Sequence, residues 1–145
     1  MQVTDIPFNK HLDITQSTEG TELSLLYRPE MTNHLQSVHA GAQFALAEAC
    51  SGQFLLQTFP GREEEHLALL RKSEAKFRDQ TQKSIRAVAT APEGELAAFI
   101  DRLEKRGRAL VTVTVTVSDE TGKETMVGRF DWFVQRLGPN GEANA

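Results

Sequence analysis

The sequence predicts one α+β domain, in which helices pack against an antiparallel sheet. Three features lead to this prediction: an alanine- and leucine-rich segment that begins at Ala40, an apolar stripe in residues 95–106, and a C-terminal run of alternating valine and threonine. The 145 residues are enough for a single domain. With 39% hydrophobic residues and a net charge of −4, the composition is that of a globular protein and argues against a general binder of nucleic acid or anionic membranes.

The N-terminal part contains a predicted β-hairpin followed by a turn. Residues 11–15 and 23–27 are short runs that contain apolar side chains, and the Thr-Glu-Gly-Thr sequence at 18–21 lies between them. Residues 28–36 contain a proline and an asparagine, which are typical of turns. No basic and apolar leader is evident at the start of the chain, so no secretory signal is expected.

Two helices are predicted. The first covers residues 40–52 or extends further, because alanine and leucine favour helices and only Pro60 and Gly61 must end it. The second covers residues 95–106, where apolar side chains repeat at helical spacing and Gly107 follows as a stop signal. This apolar stripe consists of Leu96, Phe99, Ile100 and Leu103.

A C-terminal hairpin is predicted from two runs of alternating side chains. Residues 109–118 have valine at alternate positions, which indicates a half-buried strand. Residues 119–122 turn the chain, and residues 125–137 return as a strand with Phe130, Trp132 and Val134 on one face. One domain is therefore expected over residues 1–137, and residues 138–145, which have nothing to pack, are expected to be a disordered tail.

Residues 63–84 are ambiguous. Their composition favours a helix, and the alternation through Leu67, Leu69 and Arg71 supports a strand only weakly. From the residues alone a helix is preferred. Residues 84–91, which read SIRAVATA, are predicted to form a strand.

Glu48 is unusual among the charged residues, because it is the only acidic or basic residue between His39 and Arg62. A carboxylate in apolar surroundings loses solvation, so its pKa rises and it becomes suited to general-base catalysis or nucleophilic attack. Alternatively, Glu48 lies on the solvent-facing side of the helix. The neighbouring alanines fit either side, so the periodicity leaves both interpretations open.

The segment that precedes this helix offers a second candidate. His39 comes directly before the helix, so the amides that follow it suit an oxyanion such as the carbonyl oxygen of a thioester under attack. Asn33 and His39 are equally suited to ordinary turn and capping roles. The residue types alone do not separate these two interpretations.

Asn33, His39-Ala40-Gly41 and Glu48 are separated by five and by six residues, within NHLQSVHAGAQFALAEACSG. This motif resembles the signature of hotdog-fold thioesterases of the PaaI-like branch: Asn, five residues, His-Gly-Gly, six residues, then Asp or Glu. The resemblance extends over most of the chain, from Ile6 to Leu137. It implies an antiparallel curved sheet wrapped around a long central helix.

The same resemblance changes the prediction for the ambiguous segment. In the family this part of the chain is a central strand, so residues 67–78 are predicted to be a strand against their own propensity. Tertiary pairing can override local propensity in this way.

The resemblance implies an acyl-CoA thioesterase, a hydrolase that converts a thioester to a free acid and a thiol. Glu48 would be the base or nucleophile, and the amide of Ala40 would hold the thioester oxygen. Asn33 would position the substrate or the attacking water, and His39 would shape the loop that leads to Gly41. Coenzyme A is part of the substrate, so no separate cofactor is implied. No metal is expected, because the histidines lack the spacing of metal ligands.

This sequence departs from the family pattern at three positions. Ala40 replaces the usual glycine, which preserves the amide donor, and Glu48 has one methylene more than an aspartate. In several relatives a serine or threonine helps to orient the water, and that position falls at Leu70, which has no hydroxyl group. The candidates for a substitute hydroxyl group are Thr58, Ser73 and Thr81.

Two other functions remain open. A hotdog hydratase or dehydratase acting on hydroxyacyl thioesters pairs a loop histidine with a helix glutamate fourteen residues later, as His34 and Glu48 are spaced, but its Pro-Gly elements are missing here. A non-catalytic module that binds acyl thioesters would be consistent with Leu70.

The family also implies partners. The expected assembly is a homodimer, or a tetramer built from such dimers, in which Glu48 of one chain faces residues of the other. The expected ligand is a thioester of coenzyme A or of an acyl carrier, with neither nucleic acid nor membrane as a partner. Cys50 is the single cysteine, which excludes an internal disulfide and favours a cytoplasmic location.

Overall fold

The structure is a computed structural model that describes residues 1–17, 20–59 and 62–142. These residues form α-helices, β-strands and three short 3₁₀ turns. The helices are α1 (Pro7–His11), α2 (Ala40–Thr58) and α3 (Glu93–Arg106). The strands are β1 (Thr15–Gln16), β2 (Leu23–Leu25), β3 (His66–Phe77), β4 (Ile85–Thr90), β5 (Arg108–Asp119) and β6 (Glu124–Arg136).

The strands form one antiparallel sheet in the order β1-β2-β4-β5-β6-β3, and this sheet curves around α2. Strands β2, β4, β5 and β6 all contact α2. The helix has buried residues on most sides and is rich in alanine, as expected for a helix that a sheet encloses. This architecture confirms the predicted α+β hotdog fold.

The central helix begins at Ala40, as predicted, and it continues past Gly52 to Thr58. A glycine inside a helix costs about 1 kcal/mol relative to alanine. The packing of the next turn offsets this cost, because Leu55 is buried in the core. Pro60 and Gly61, the predicted end signals, lie outside the described residues.

The first hairpin is confirmed, although its first strand is shorter than predicted. Thr15 pairs with Ser24 and Gln16 with Leu23. The predicted strand at 11–15 is wrong at its start, because His11 is the last residue of α1. A proline in the first turn favours the start of this helix. Residues 18 and 19 of the predicted turn lie outside the described residues.

Strand β3 confirms the prediction drawn from the family resemblance and shows that the helical preference of residues 63–84 was wrong. It is antiparallel to β6, from His66 opposite Arg136 to Phe77 opposite Met126. Backbone pairing over this length outweighs the propensity of the individual residues. Strand β3 is the last in the sheet order, so its other edge pairs with no strand among the described residues.

A β-bulge at Arg71 interrupts this pairing. Leu70 lies opposite Trp132, whereas Ser73 rather than residue 72 lies opposite Phe130. Both Trp132 and Phe130 are buried on the inner side of the sheet, which faces α2. Since paired residues share a face, Leu70 and Ser73 also lie on the inner side.

The bulge therefore determines which side chains in the second part of β3 face inward. Arg71 lies on the outer side, with its guanidinium carbon 4.4 Å from the centre of the Phe133 ring. If Arg71 were instead part of a regular strand with no bulge, the alternation would bring Lys72, Glu74 and Lys76 to the inner side. With it, the inner positions are Ser73, Ala75 and Phe77, and the outer ones are Lys72, Glu74 and Lys76.

The second helix and the C-terminal hairpin agree with their predictions. Phe99 and Leu103 from the stripe of α3 are buried, and Gly107 ends the helix at φ 75°, with its N–H donating to Leu103 O at 2.8 Å. Strands β5 and β6 lie within one residue of the predicted bounds. The turn after β5 includes Gly122 at φ 86°.

The segment after β6 begins with a turn. Gly138 N–H donates to Glu142 O at 2.7 Å, and Gly141 N–H donates to Gly138 O at 2.9 Å. Residues 143–145 lie outside the described residues. Disorder of residues 138–145 stays a prediction.

Candidate active site

Helix α2 begins with an N-cap that His39 provides. The His39 backbone is extended, and its ring Nδ1 accepts a hydrogen bond from Gly41 N–H at 2.8 Å. The His39 N–H donates to Met31 O at 2.8 Å, which ties the cap to the preceding turn. His39 therefore shapes the start of the helix through the capping role that its position suggested.

Among the first amides of α2, that of Ala40 has no acceptor within the described residues. Gly41 N–H donates to the His39 ring, while Ala42 and Gln43 N–H donate to His39 O at 3.0 and 3.1 Å. Ala40 is exposed and lies at the positive end of the helix dipole. Its N–H is therefore the first-turn donor available for a carbonyl oxygen.

Gly41 is needed for the His39 cap. A Cβ atom at Gly41 would lie 3.0 Å from His39 Nδ1 and 3.3 Å from its Cε1. These distances are shorter than ordinary carbon contacts, so a side chain here would displace the imidazole. With alanine at position 40 and glycine at position 41, the chain retains both the Ala40 amide donor and the His39 cap.

Asn33 organises the loop that leads to the helix. Its Oδ1 accepts hydrogen bonds from Leu35 N–H at 2.9 Å and Ser37 N–H at 3.1 Å, and its own N–H donates to Ser37 O at 2.9 Å. The amide oxygen is thus used within the turn. Its Nδ2 group donates to no described residue and is the part of Asn33 that can meet a ligand.

Glu48 lies two helical turns after Ala40 and is half-buried. Burial raises the pKa of its carboxyl above the ordinary value of 4.5. No cation pairs with this carboxylate within the described part of the chain, and no described group donates a hydrogen bond to it. Glu48 is thus neither a fully solvated surface charge nor half of an ion pair.

Ala40 and Glu48 do not meet within one chain. They are eight residues apart on a straight path of helix, which corresponds to about 12 Å along the axis. A base and an oxyanion donor must both lie about 3 Å from the reacting group. One chain therefore carries both groups without assembling them around one carbonyl.

The three hydroxyl residues considered as substitutes at Leu70 have different surroundings. Thr58 Oγ1 donates to Phe54 O at 3.1 Å, inside the last turn of α2. Thr81 is buried and donates to a carboxylate. Ser73 is exposed on the inner side of β3, and its hydroxyl group has no partner among the described residues.

The carboxylate that Thr81 contacts belongs to Asp119, which sequence reasoning missed. Asp119 is 2% exposed and accepts hydrogen bonds from Thr81 Oγ1 at 2.8 Å, from Thr121 N–H and Oγ1 at 2.9 and 2.6 Å, and from Lys123 N–H at 3.2 Å. Thr81 O in turn accepts from Val38 N–H at 2.9 Å, directly before His39. The end of β5 thereby supports the start of α2.

Ser51 and Trp132 form a second contact that the sequence did not suggest. Trp132 Nε1–H donates to Ser51 Oγ at 2.9 Å, and the Ser51 hydroxyl donates to Glu48 O at 2.7 Å. The spacing of three residues between Ser51 and Glu48 was the one available signal. This contact joins β6 to the turn of α2 that carries the candidate carboxylate.

Within residues 1–17, 20–59 and 62–142, no cluster of three or more His, Cys, Asp or Glu side chains is arranged to hold a metal ion. None of the described helices is both long enough and apolar enough to cross a membrane.

The curved sheet and enclosed helix define this chain as a hotdog-fold protein, and the sequence comparison assigns its family. Residues 11–134 match the family described as a domain of unknown function, DUF4442, and the chain belongs to that family. A search of curated proteins finds no match.

Solved structures confirm the fold. Their sequence identities to this chain are too low to assign a function to it. A protein of unknown function from Pseudomonas aeruginosa, described as a probable thioesterase, is 20% identical with a TM-score of 0.78, covering 92% of this chain and 91% of its own. A thioesterase from Haemophilus influenzae is 17% identical with a TM-score of 0.67, covering 92% and 86%. A Bacillus halodurans protein solved with CoA is 22% identical with a TM-score of 0.65, covering 85% and 72%.

Proposed function

We propose that this protein is an acyl-CoA thioesterase that works as a homodimer, with each active site formed by two chains. The observation that carries the proposal concerns two groups on α2 that have no partner among the described residues: the outward amide of Ala40 and the half-buried carboxylate of Glu48. The thioesterase and the CoA-bound protein among the similar structures support the same choice of chemistry.

Hydrolysis uses these groups in complementary roles. As a base, Glu48 takes a proton from water, whose oxygen attacks the thioester carbonyl carbon. The Ala40 amide stabilises the resulting oxyanion. The carbon–sulfur bond then breaks, and the proton passes from Glu48 to the leaving thiolate. A raised pKa suits the carboxylate to this exchange near neutral pH. As a nucleophile, Glu48 would instead form an acyl anhydride that water hydrolyses.

The separation of about 12 Å along α2 supports the two-chain arrangement. In a symmetric pair whose α2 helices run antiparallel, Glu48 of one chain faces the helix start of the other. The free edge of β3 is the surface that would form this pair. Leu69 and Phe77 on that strand are both 47% exposed, and an exposed edge strand with apolar side chains is a surface for strand pairing.

We assign the water-orienting role to Ser73. The bulge at Arg71 brings this serine to the inner side of β3, one inward position after Leu70. Thr58 and Thr81 are less suitable because their hydroxyl groups already donate within the fold. Ser73 of either chain would then act beside Glu48.

The experiment measures free-thiol release from a panel of acyl-CoAs by the wild-type protein and by Glu48→Gln. Cys50 adds no thiol background, because it is 1% exposed and burial raises its pKa to about 12. Thiol release is expected to fall by about 100-fold or more in Glu48→Gln. Glu104→Gln, at an exposed position on α3, is the matched control and should retain wild-type activity.

Three outcomes would overturn the proposal. Equal thiol release by Glu48→Gln and the wild type would remove the role of Glu48. Loss of enoyl-CoA absorbance without thiol release would indicate the hydratase that the spacing of His34 and Glu48 left open. Binding of acyl-CoA with neither signal would indicate a non-catalytic binding module.

A further inference from the structure

An apolar cavity lies beside the second half of α2. It is bounded by the N-terminal segment at Val3 and Ile6, by Leu55 and Leu56 of α2, and by Trp132 of β6. Among the described residues that line it, all but Glu63 and His66 are apolar. Small-molecule sites have this composition, with an apolar wall and few polar groups.

The size of the cavity limits what it can hold. Its volume is about 160 Å³. An apolar cavity of about 150 Å³ is known to accept a benzene molecule and to remain free of water when empty. The space therefore suits a single six-membered ring or a chain of about six carbons.

Gly52 keeps this space open. Glycine weakens a helix interior, yet Gly52 has no positive φ that would require it. A Cβ atom at this position would meet only ordinary contacts, at 3.7 Å from Trp132 Cζ2 and 3.8 Å from Val3 Cγ1. Neither backbone conformation nor a clash explains the glycine, whereas a larger side chain would fill the cavity.

The cavity begins one helical turn beyond the proposed catalytic residue, at Gly52. Gly52 follows Glu48 by one turn on the same face of α2, which is about 6 Å along the axis. Trp132, which lines the cavity, donates to Ser51, and Ser51 donates to Glu48 O. A thioester carbonyl at Glu48 would thus direct its acyl group along α2 towards the cavity.

We propose that this cavity is the acyl pocket and that the substrates are thioesters with an apolar acyl group of about six carbons or one ring. This inference rests on the proposed thioesterase function for its position relative to the reaction. Glu48 acts at the carbonyl, and Gly52 sets how much of the acyl group fits beyond it.

Trp132 allows a test that does not depend on turnover, because it is the single tryptophan of the chain and lines the cavity. The probes are S-hexyl-CoA and S-ethyl-CoA, thioethers that cannot be hydrolysed. Titration of S-hexyl-CoA is expected to shift the Trp132 emission and to give an affinity at least about tenfold higher than S-ethyl-CoA, because buried methylenes favour binding. Equal affinities with unchanged emission would overturn the proposal.

Substitution at Gly52 provides the second test. Gly52→Leu, which fills the cavity, should reduce the hexyl-to-ethyl affinity ratio about tenfold, whereas Gly52→Ala adds one methyl group and should retain most of it. Leu56→Phe fills the same space from another residue and serves if Gly52→Leu fails to fold. A ratio that every folded variant preserves contradicts the pocket.

Failure of the pocket and failure of the proposed function give different results. An S-hexyl-CoA response at Trp132 without thiol release from hexanoyl-CoA supports the pocket and contradicts the thioesterase. Thiol release from acetyl-CoA and hexanoyl-CoA with equal kcat/KM, together with a silent Trp132, contradicts the pocket and supports the thioesterase.

Discussion

The Thr81 hydroxyl group donates a hydrogen bond of 2.8 Å to the buried carboxylate of Asp119, and this bond joins the loop after β3 to the end of β5. Both residues are almost fully buried, at 4% and 2% exposure. Because Thr81 also accepts from Val38 N–H, the bond supports the backbone that precedes His39. The start of α2 thus depends on a contact with a distant strand.

Acid is expected to weaken the fold through Asp119. Hydrogen bonds from Thr121 and Thr81 hold the pKa of this carboxyl at about 2, below its ordinary value of 3.8. A lowered pKa means that its stabilisation is complete above pH 3.8 and is lost as the pH falls towards 2. Urea unfolding between pH 5 and 2 should show this loss in the wild type, and Asp119→Asn should remove that part of the pH dependence. Asp101→Asn, which breaks an exposed ion pair with Lys105, should leave it.

Thr81→Val should loosen the loop before α2. The substitution keeps the shape of the side chain but leaves Asp119 without one buried donor, which costs about 1–3 kcal/mol. Amide hydrogen exchange at Val38 and His39 should become faster, and urea unfolding should shift to lower concentration. Thr81→Ser retains the hydroxyl group and should restore exchange close to the wild-type rate. Slow exchange in both variants would show that the loop does not depend on this bond.

Gly41→Ala should disrupt the helix cap. The added methyl group would lie 3.0 Å from His39 Nδ1, so the imidazole must move and Gly41 N–H loses its acceptor. Loss of an N-cap costs about 1 kcal/mol. Thermal unfolding measures this change, and His39→Ala should reduce stability by a similar amount. Additive losses in the double variant would contradict a shared cap, because both changes remove the same hydrogen bond.

Glu48→Gln should stabilise the folded protein at neutral pH. Burial raises the pKa of the Glu48 carboxyl, so the folded state binds a proton more readily than the unfolded state does. The resulting destabilisation grows as the pH rises through the interval above 4.5 and is absent below it. The stability difference between variant and wild type should therefore be largest at pH 7–8 and disappear near pH 4. A less stable variant at pH 7 would indicate a hidden partner for the carboxylate.

Phe77→Lys should produce a monomer if β3 forms the interface of the proposed dimer. Phe77 is 47% exposed in the single chain, so its replacement should destabilise the monomer by only about 1 kcal/mol, and the monomer should stay folded. Light scattering after size-exclusion chromatography would report the mass. Leu110→Lys changes a similarly exposed apolar residue on β5, away from this edge, and should not yield a monomer. An unchanged mass in Phe77→Lys would place the interface elsewhere.

Local signals were sufficient for several parts of the fold. Alternating valines predicted β5, and the stripe ending at Gly107 predicted α3, because one buried face repeats with the period of its element. Strand β3 carried no such signal. Its side chains are mostly exposed on both faces in the single chain, so its apolar residues follow neither the helical nor the strand repeat clearly. Only the family resemblance predicted the strand.

In the candidate site, too, only features that depend on neighbouring residues could be predicted from the sequence. The position of His39 before a helix predicted a cap, since that role depends on neighbouring residues. The supports from Asp119 and Trp132 could not be predicted in this way. Each joins residues that are far apart in the chain, such as Trp132 and Ser51, and no local pattern records such a pairing.

The bulge at Arg71 lets strand β3 lose one residue without changing which side chains face inward. Most of its side chains are exposed, so single replacements along the strand should be tolerated. Deletion of Arg71 would remove the bulge but leave Lys72 facing outward and Ser73 facing inward, because both keep their partners on β6. Natural variants of this strand can therefore be one residue shorter at this point, with the candidate water-orienting position and the apolar side chain of Phe77 still on the inner side.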